Sequence, residues 1–297
     1  MRNQFVKTVE EVMEQDERLV VFLGDIGVYA FRNIFQKYPD RIFNIGVLEQ
    51  AVTSLAAGIS KEHLKPVIYT ITPFAIERCL EQIKVDFCYQ RLGGNIVSVG
   101  SAFDYAALGC THHSYSDIAL IRSLPGTQVI YPSSEAEFDI LFKHTYGNNN
   151  FTYFRLPAHK HDGDFNPKKI QLGKGIKVQE GNKLTIVVTG PQLKNVVKAS
   201  QSYSVDVIYI HTIKPLDTEL IRESAQKTGK VLVIEEHNAR GGLGDEVAFS
   251  VESLPGIIQS RVGIEDQFLT DYGTYEEHCA ALGLSAEGIE VKIRSLI

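Results

Sequence analysis

The sequence has few cysteines, and their positions give them no evident partners. Its 297 residues include four, at Cys79, Cys88, Cys110 and Cys279. They show neither a C-x-x-C spacing nor a paired histidine pattern, so the sequence indicates neither a zinc site nor a disulfide framework. The simplest interpretation is a set of reduced thiols in a cytoplasmic protein.

Long apolar runs and clusters of basic residues are also missing. No run reaches the roughly 18 apolar residues that a membrane span needs, and residues 1–7 lead into a Glu-rich helical pattern without the apolar core of a signal peptide. The net charge is −6 and the isoelectric point is near 5.9, with lysines and arginines scattered along the chain. We therefore expect neither a membrane nor a nucleic-acid partner.

What the sequence does contain is ordinary for a globular protein of roughly two domains. Apolar runs of strand length alternate with longer segments of helical period. This alternation predicts an α/β fold with two domains, each a mostly parallel sheet flanked by helices. We place the domains at residues 1–160 and 184–297. Residues 161–183 are the predicted linker, because the stretch 155–181 is rich in Lys, Gly, His, Asp and Pro and lacks a sustained apolar period.

The expected elements follow this alternation. Strands are predicted at residues 19–23, 66–69, 95–99 and 128–131 in the first domain, and at 184–188, 205–210 and 230–234 in the second. Helices are predicted around residues 47–61, 73–91, 114–123 and 134–146.

The most informative local feature is a lone carboxylate, Glu49, in the apolar and small-residue stretch 41–52, where a strand-like run meets a helix-like run. A carboxylate in a dry crevice is unfavourable, which points to a function such as sharing a proton with a ring nitrogen. The alternative is a glutamate that only stabilises a helix N-terminus through the dipole.

Several segments resemble a known family. Residues 44–50, Asn-Ile-Gly-Val-Leu-Glu-Gln, followed by an Ala/Gly helix, are similar to the pyrimidine-binding domain of transketolase-like thiamine diphosphate enzymes. Further segments agree with the family in order: Asp40-Arg41 and residues 73–78, 109–113, 117–119 and 122–126. Together they cover most of residues 20–155, and the resemblance implies the thiamine diphosphate pyrimidine-binding fold.

The resemblance implies a set of cofactor contacts. Glu49 would be catalytic and would share a proton with N1′ of the aminopyrimidine ring of thiamine diphosphate. Phe74 would be a flat apolar wall against that ring, with stacking worth about 1 kcal/mol. Arg78, in the same segment, would also bind the cofactor. Ordinary core packing is the alternative for Phe74.

The resemblance also implies contacts with a sugar substrate. His112 would be catalytic and would hydrogen-bond the donor sugar or the developing alkoxide. His113, where many transketolases carry Gln, would be a second substrate-binding residue, although adjacent side chains in a β-like chain point to opposite sides and at most one should face the substrate. Arg155, at the end of an aromatic strand, matches an Arg that grips sugar phosphate. An ordinary surface or interface Arg is the alternative.

Two departures from the family concern the sugar. Leu108 stands where full-length transketolases carry an acidic residue, and Gly100 falls at about the position of a histidine. Both family residues touch hydroxylated, phosphorylated sugar. A modified, deoxy or unphosphorylated sugar and a pentose phosphate are therefore both open as substrates.

The family's signature for Mg²⁺ and diphosphate, Gly-Asp-Gly with a later Asn, is missing. The Gly-Asp pairs of this chain are Gly24-Asp25-Ile26, Gly163-Asp164-Phe165 and Gly244-Asp245-Glu246. We therefore expect no metal ligands in this chain, and an N-terminal transketolase subunit as the partner that carries the Mg²⁺ and diphosphate site. Self-association into a dimer core would complete a heterotetramer.

The second half resembles the C-terminal domain shared by transketolase, deoxyxylulose-5-phosphate synthase and the β subunits of ketoacid dehydrogenases, at residues 213–217, 235–237 and 241–244. The glycines at 241–244 fit neither the Walker A nor the dinucleotide spacing, so a tight turn is expected there. The chain is thus predicted to be the C-terminal subunit of a split transketolase, which moves a two-carbon ketol unit between sugars or sugar phosphates. A ketoacid dehydrogenase β subunit, a deoxyxylulose-phosphate synthase-like enzyme and a non-catalytic scaffold or regulatory paralogue are the alternatives.

Overall fold

The structure, a computed structural model of residues 1–297, contains twelve strands. In chain order they are β1 (Leu19–Leu23), β2 (Ile42–Asn44), β3 (Lys65–Ile71), β4 (Gly94–Val99), β5 (Thr127–Ile130), β6 (Phe151–Leu156), β7 (Ile176–Gln179), β8 (Thr185–Thr189), β9 (Asp206–Ile210), β10 (Thr212–Lys214), β11 (Lys230–Asn238) and β12 (Ile258–Ile264).

Twelve α-helices accompany the strands. They are α1 (Arg2–Gln15), α2 (Arg32–Lys37), α3 (Glu49–Lys61), α4 (Thr72–Ala75), α5 (Leu80–Gln82), α6 (Asp117–Arg122), α7 (Glu135–Thr145), α8 (Leu193–Ser200), α9 (Thr218–Thr228), α10 (Leu243–Val251), α11 (Tyr275–Ala281) and α12 (Ala286–Leu296). A π-helical segment, Ile83–Cys88, follows α5, and short 3₁₀ turns lie at Ala106–Leu108 and Cys110–His112. None of the helices is both long and apolar enough to cross a membrane.

The strands form two sheets, in the orders β10-β5-β6-β4-β3-β1-β2 and β12-β11-β8-β9-β7. All pairs are parallel except β10 with β5 and β7 with β9. The inner strands β1, β4, β6 and β8 are buried along their whole length, as expected for a parallel sheet with helices on both faces. The predicted α/β fold with two mostly parallel sheets is confirmed.

Helix boundaries follow the local chemistry of their end residues. The hydroxyl of Ser134 accepts a hydrogen bond from the Glu137 amide at 3.2 Å and starts α7. Asp217 caps α9, which ends at Gly229 with φ +71°, a left-handed conformation that glycine adopts without strain. Such caps satisfy backbone groups that have no partner inside the helix.

Three predictions need correction. The predicted linker, residues 161–183, contains β7, which pairs with β9 and belongs to the second sheet. The single helix predicted over 73–91 is instead a series of short helical pieces, α4, α5 and the π-helical segment. The edge strands β10 and β12 were not predicted. β12 is only partly buried, so it lacks the apolar run by which strands were recognised.

The two sheets share their cores. One large apolar cluster includes Phe154 of the first sheet and Leu232 of the second, and the other includes Phe151 and Val233. Because each cluster contains residues of both sheets, the two domains pack as one unit. The candidate functional residues lie at the carboxyl ends of the parallel strands, where the loops after β2, β3 and β4 come together.

Candidate active site

Glu49 lies in a crevice at the carboxyl end of β2. It is the first residue of α3 and is 4% exposed. Nη1 of Arg78 donates a hydrogen bond to its Oε2 at 2.8 Å, whereas no protein group donates to Oε1. The position at a helix start agrees with the dipole alternative, but the second oxygen remains free to accept a proton from a ligand.

Phe74 and Arg78 stand beside this carboxylate. Phe74 belongs to α4, directly after β3, and is half-buried. The guanidinium carbon of Arg78 lies 4.3 Å from the Phe74 ring centroid. Arg78 therefore makes two contacts at once, a charge-assisted hydrogen bond to Glu49 and a cation–π contact with Phe74. The three residues predicted to bind the cofactor are brought together.

His112 joins the same cluster from the loop after β4. Its ring centroid is 5.4 Å from that of Phe74 and 6.0 Å from that of Tyr105, with the rings edge to face. The hydroxyl of Thr111 lies 3.0 Å from Nδ1, which leaves Nε2 without a protein partner. A half-buried imidazole with one free nitrogen can donate to or accept from a substrate oxygen.

His113 does not join it. It is 4% exposed, neither ring nitrogen has a protein partner, and its ring centroid lies 5.7 Å from that of His278 in the second domain. Burial, followed by the neighbouring His278 and His112, lowers the pKa of His113. The structure therefore supports the expectation that only one of the two histidines faces the cleft, and it does not support His113 as a substrate-binding residue.

Arg155 lies near the end of an aromatic strand, as predicted, but its side chain points into the protein. It is fully buried in β6, its Nε lies 2.8 Å from Oδ2 of Asp117, and Nη2 donates to the carbonyl oxygens of Ser114 and Glu236 at 2.9 and 3.3 Å. Burial opposes the charge, but the Asp117 carboxylate raises the pKa of Arg155 above its ordinary value. Its guanidinium is buried and hydrogen-bonded within the protein, so the structure does not support a contact between Arg155 and the substrate.

Arg2 is a cation that sequence reasoning missed. It lines a cavity of about 330 Å³ with Gly100, Tyr105 and Lys160. Arg2 donates a hydrogen bond to the Tyr105 hydroxyl, and its guanidinium carbon is 5.9 Å from that ring. Lys160 is paired with Glu135 at 2.6 Å, whereas Arg2 has no carboxylate partner. The sequence pointed to this cavity only through Gly100, which stands at about the position of a sugar-contacting histidine in the family. Arg2 itself was overlooked because it lies in an amphipathic helical pattern.

The glycines at 241–244 serve the fold. Both oxygens of Glu235 accept backbone hydrogen bonds at the start of α10, from Leu243 at 2.7 Å and Gly244 at 2.8 Å. A Cβ on Gly242 would stand 2.1 Å from Oε2 of Glu235, so only glycine fits. These amides already hold a protein carboxylate, in agreement with the predicted tight turn rather than a phosphate loop.

Fold and site together define a class of protein. The site combines a glutamate at a helix start, an aromatic ring and a loop with a histidine at the carboxyl edge of a parallel sheet, and a second α/β domain follows it. This arrangement is the one expected of thiamine diphosphate enzymes. Residues 1–161 match the family model for the transketolase pyrimidine binding domain, and residues 173–289 match that for the transketolase C-terminal domain. The chain belongs to the transketolase family.

Individual relatives are similar over nearly the whole chain. An apulose-4-phosphate transketolase subunit from Phocaeicola vulgatus is 30% identical over 97% of this chain and 94% of its own length. The 6-deoxy-6-sulfo-D-fructose transketolase subunit of Clostridium sp. is 29% identical over 92% and 88%. A split-gene transketolase solved as an inactive beta4 tetramer superimposes with a TM-score of 0.87 at 28% identity, covering 99% of this chain and 97% of that one.

These similarities confirm the predicted family and activity. The chain is the C-terminal subunit type of a split transketolase, a thiamine diphosphate-dependent transferase. Thiamine diphosphate with Mg²⁺ is the cofactor of this family. The free Oε1 of buried Glu49 beside the Phe74 ring fits the aminopyrimidine part of that cofactor.

Proposed function

We propose that this chain supplies the cofactor-activating half of a transketolase whose active site is completed by an N-terminal partner subunit. The observation that carries the proposal is the cluster of Glu49, Phe74, Arg78 and His112 at one edge of the sheet. When bound, thiamine diphosphate would supply the nucleophilic carbon that the ketol transfer needs. Glu49 holds the proton shared with N1′, and its buried position keeps water from competing for that proton.

Phe74 and Arg78 orient these groups. The Phe74 ring lies against the guanidinium of Arg78, and Arg78 fixes the Glu49 carboxylate through the 2.8 Å hydrogen bond. With 38% of its side chain exposed, Arg78 can move when a ligand enters, whereas the backbone that carries Glu49 is held in α3. His112 would then donate or accept through Nε2 at the sugar carbonyl oxygen, where charge develops.

The sugar carries an anionic group in this proposal. Arg155 is buried, so the cation available near the His112 loop is Arg2, which is separated from His112 by the Tyr105 ring. A guanidinium without a carboxylate partner can bind a phosphate or sulfonate group through two hydrogen bonds. The names of the two relatives, with a 4-phosphate and a 6-sulfo sugar, point to the same class of substrate.

An exposed apolar face next to Glu49 supports self-association. Five large apolar side chains of α3, its preceding loop, the π-helical segment and the residue that follows it are exposed, namely Val47, Leu48, Leu55, Val85 and Tyr89. Such a patch is the usual mark of an interface. We propose that it forms the dimer core of a heterotetramer, with the N-terminal subunit carrying the Mg²⁺ and diphosphate site.

Reconstitution tests this function. The chain is purified alone and together with its N-terminal subunit, and transfer of a two-carbon ketol unit is followed with phosphorylated ketose donors, Mg²⁺ and thiamine diphosphate. We expect activity only in the complex. Tight, Mg²⁺-dependent cofactor binding with turnover by this chain alone would contradict the proposed division of the site between subunits.

A further inference from the structure

The segment between β12 and α11, residues 265–274, lies on the loop that carries His112. It is anchored at its middle by Leu269, which is buried and whose amide donates to the Tyr115 hydroxyl at 3.3 Å. On either side of this anchor stand two aromatic residues, Phe268 and Tyr272, which are 75% and 72% exposed. The 265–274 segment thus brings aromatic side chains of the second domain to the cleft of the first.

Tyr272 packs directly on the backbone at Gly109. A Cβ on Gly109 would stand 2.8 Å from Cε1 of Tyr272, which shows how closely the ring approaches this backbone, and the φ of Gly109 is +74°, a conformation that favours glycine. The carbonyl oxygen of Gly109 accepts the hydrogen bond from the His112 amide at 3.0 Å. The ring therefore lies against the residue whose carbonyl closes the turn of His112.

A second contact is made by His278 of α11. Its ring stands nearly perpendicular to that of His113, with centroids 5.7 Å apart, and both side chains are buried. The start of α11 is fixed by a capping box between Thr274 and Glu277, immediately after the 265–274 segment. Residues 109 and 113, at the two ends of the loop, are thus both covered by the second domain.

The loop between them has little internal support. Within residues 109–113 there are two i to i+3 hydrogen bonds, from His112 to Gly109 and from His113 to Cys110 at 3.0 and 3.2 Å, and a third of the same type joins the Gly109 amide to Ala106 at 3.2 Å. Turns of this type have poorer geometry than an α-helix and occur only in short pieces. The orientation of His112 is therefore set largely by what packs against the loop from outside.

We infer that the second domain positions the catalytic loop, with Tyr272 as the principal positioning residue and His278 supporting the far end. Tyr272 acts through Gly109 and keeps the His112 imidazole against Phe74. This inference rests on the proposed function, because it takes His112 as the group that meets the sugar carbonyl. It gives the C-terminal domain a part in turnover in addition to its part in assembly.

Three variants in the complex with the N-terminal subunit test the inference. Tyr272→Ala removes the ring, Tyr272→Phe keeps it, and Phe268→Ala removes the neighbouring exposed ring of the same segment as a matched control. For Tyr272→Ala we expect kcat and kcat/KM to fall together by between about tenfold and a hundredfold, the scale of a misplaced catalytic group. Tyr272→Phe and Phe268→Ala should stay within about twofold of the wild type.

A second measurement does not depend on turnover. Amide hydrogen exchange of a peptide covering residues 109–113, measured in this chain alone, should become faster in Tyr272→Ala and remain unchanged in Phe268→Ala. Equal losses of activity in Tyr272→Ala and Phe268→Ala, or unchanged exchange in Tyr272→Ala, would overturn the inference. If the wild-type complex transfers no ketol unit, the proposed function fails, and the exchange experiment still decides whether Tyr272 holds the loop.

Discussion

Arg78 and Glu49 are joined by a 2.8 Å hydrogen bond in which one partner is buried and the other is largely open to solvent. Only 3% of the Glu49 side chain is exposed, against 38% for Arg78. The carboxylate is therefore fixed while its partner can leave. This asymmetry suits a site in which a fixed acid must meet an incoming ligand, and it places the first test on Glu49.

In Glu49→Gln the side chain keeps its size but can no longer hold the proton shared with N1′ of the cofactor. We expect the C2 proton of thiamine diphosphate to exchange with deuterium more slowly by a factor of about 100 or more in the reconstituted complex. Glu62→Gln, an exposed glutamate at the end of the same helix, is the matched control. If exchange is unchanged in Glu49→Gln, the only role left for Glu49 is to stabilise the start of α3.

Removal of the Arg2 charge should affect only anionic substrates. In Arg2→Gln we expect KM for a phosphorylated ketose to rise about tenfold, the scale of one lost charge-assisted hydrogen bond, with little change in kcat. The unphosphorylated ketose should react as with the wild type. Lys7→Gln removes a positive charge from the same helix, but away from the cavity. Equal effects of the two substitutions, or of Arg2→Gln on both sugars, would contradict a direct contact.

His113 should make stability depend on pH on the acid side of neutrality. Because its pKa is lowered from 6.5 in the folded state, the unfolded chain binds more protons, and the free energy of unfolding decreases as the pH falls below about 6.5. The decrease should be smaller in His113→Gln, which cannot take up the proton. Melting of the two proteins between about pH 7 and pH 5 measures the difference. His144→Gln, on the exposed side of α7, should keep the wild-type slope.

Arg155 is predicted to stabilise the folded protein rather than to bind substrate. In Arg155→Met the carboxylate of Asp117 stays buried without its cation, so we expect a loss of about 3–5 kcal/mol in the free energy of unfolding. Urea titration of this chain gives the value. Lys198→Met, which breaks an exposed pair with Glu287, should have a much smaller effect, because solvent screens exposed ion pairs. A loss of similar size in both variants would show that the buried pair is not special.

The sequence was informative where burial is continuous and local. Strand β1 is apolar throughout and β4 is largely so, because both their faces are covered, and the runs at 19–23 and 95–99 could therefore be recognised without any partner. Strand β12 carries Gln259, Ser260 and Arg261 at a sheet edge, and its pairing with β11 depends on contacts that no local pattern reveals.

The site residues divide along the same line. Glu49, Phe74 and His112 lie in segments that match the family's motifs in order. The order of the motifs was therefore enough to predict that these residues belong to one site. Arg155 was matched to a substrate contact because its partners are distant in sequence: Asp117 of the first domain and, from the second, the carbonyl oxygen of Glu236 in β11. Arg2 was missed because it is about 100 residues away from the Tyr105 that it contacts.

The strand β10 has a consequence for how the two domains can be separated. It belongs to the second half of the chain by sequence, yet it pairs with β5 at the edge of the first sheet. A first domain cut off at the predicted boundary would lose this strand and leave the hydrogen-bonding edge of β5 bare, open to pairing with other chains. A protease that cleaves between residues 161 and 175 would, by contrast, leave two fragments still held together by β10 and by the shared apolar clusters. The connection between the domains is thus made in the sheet as well as in the linker.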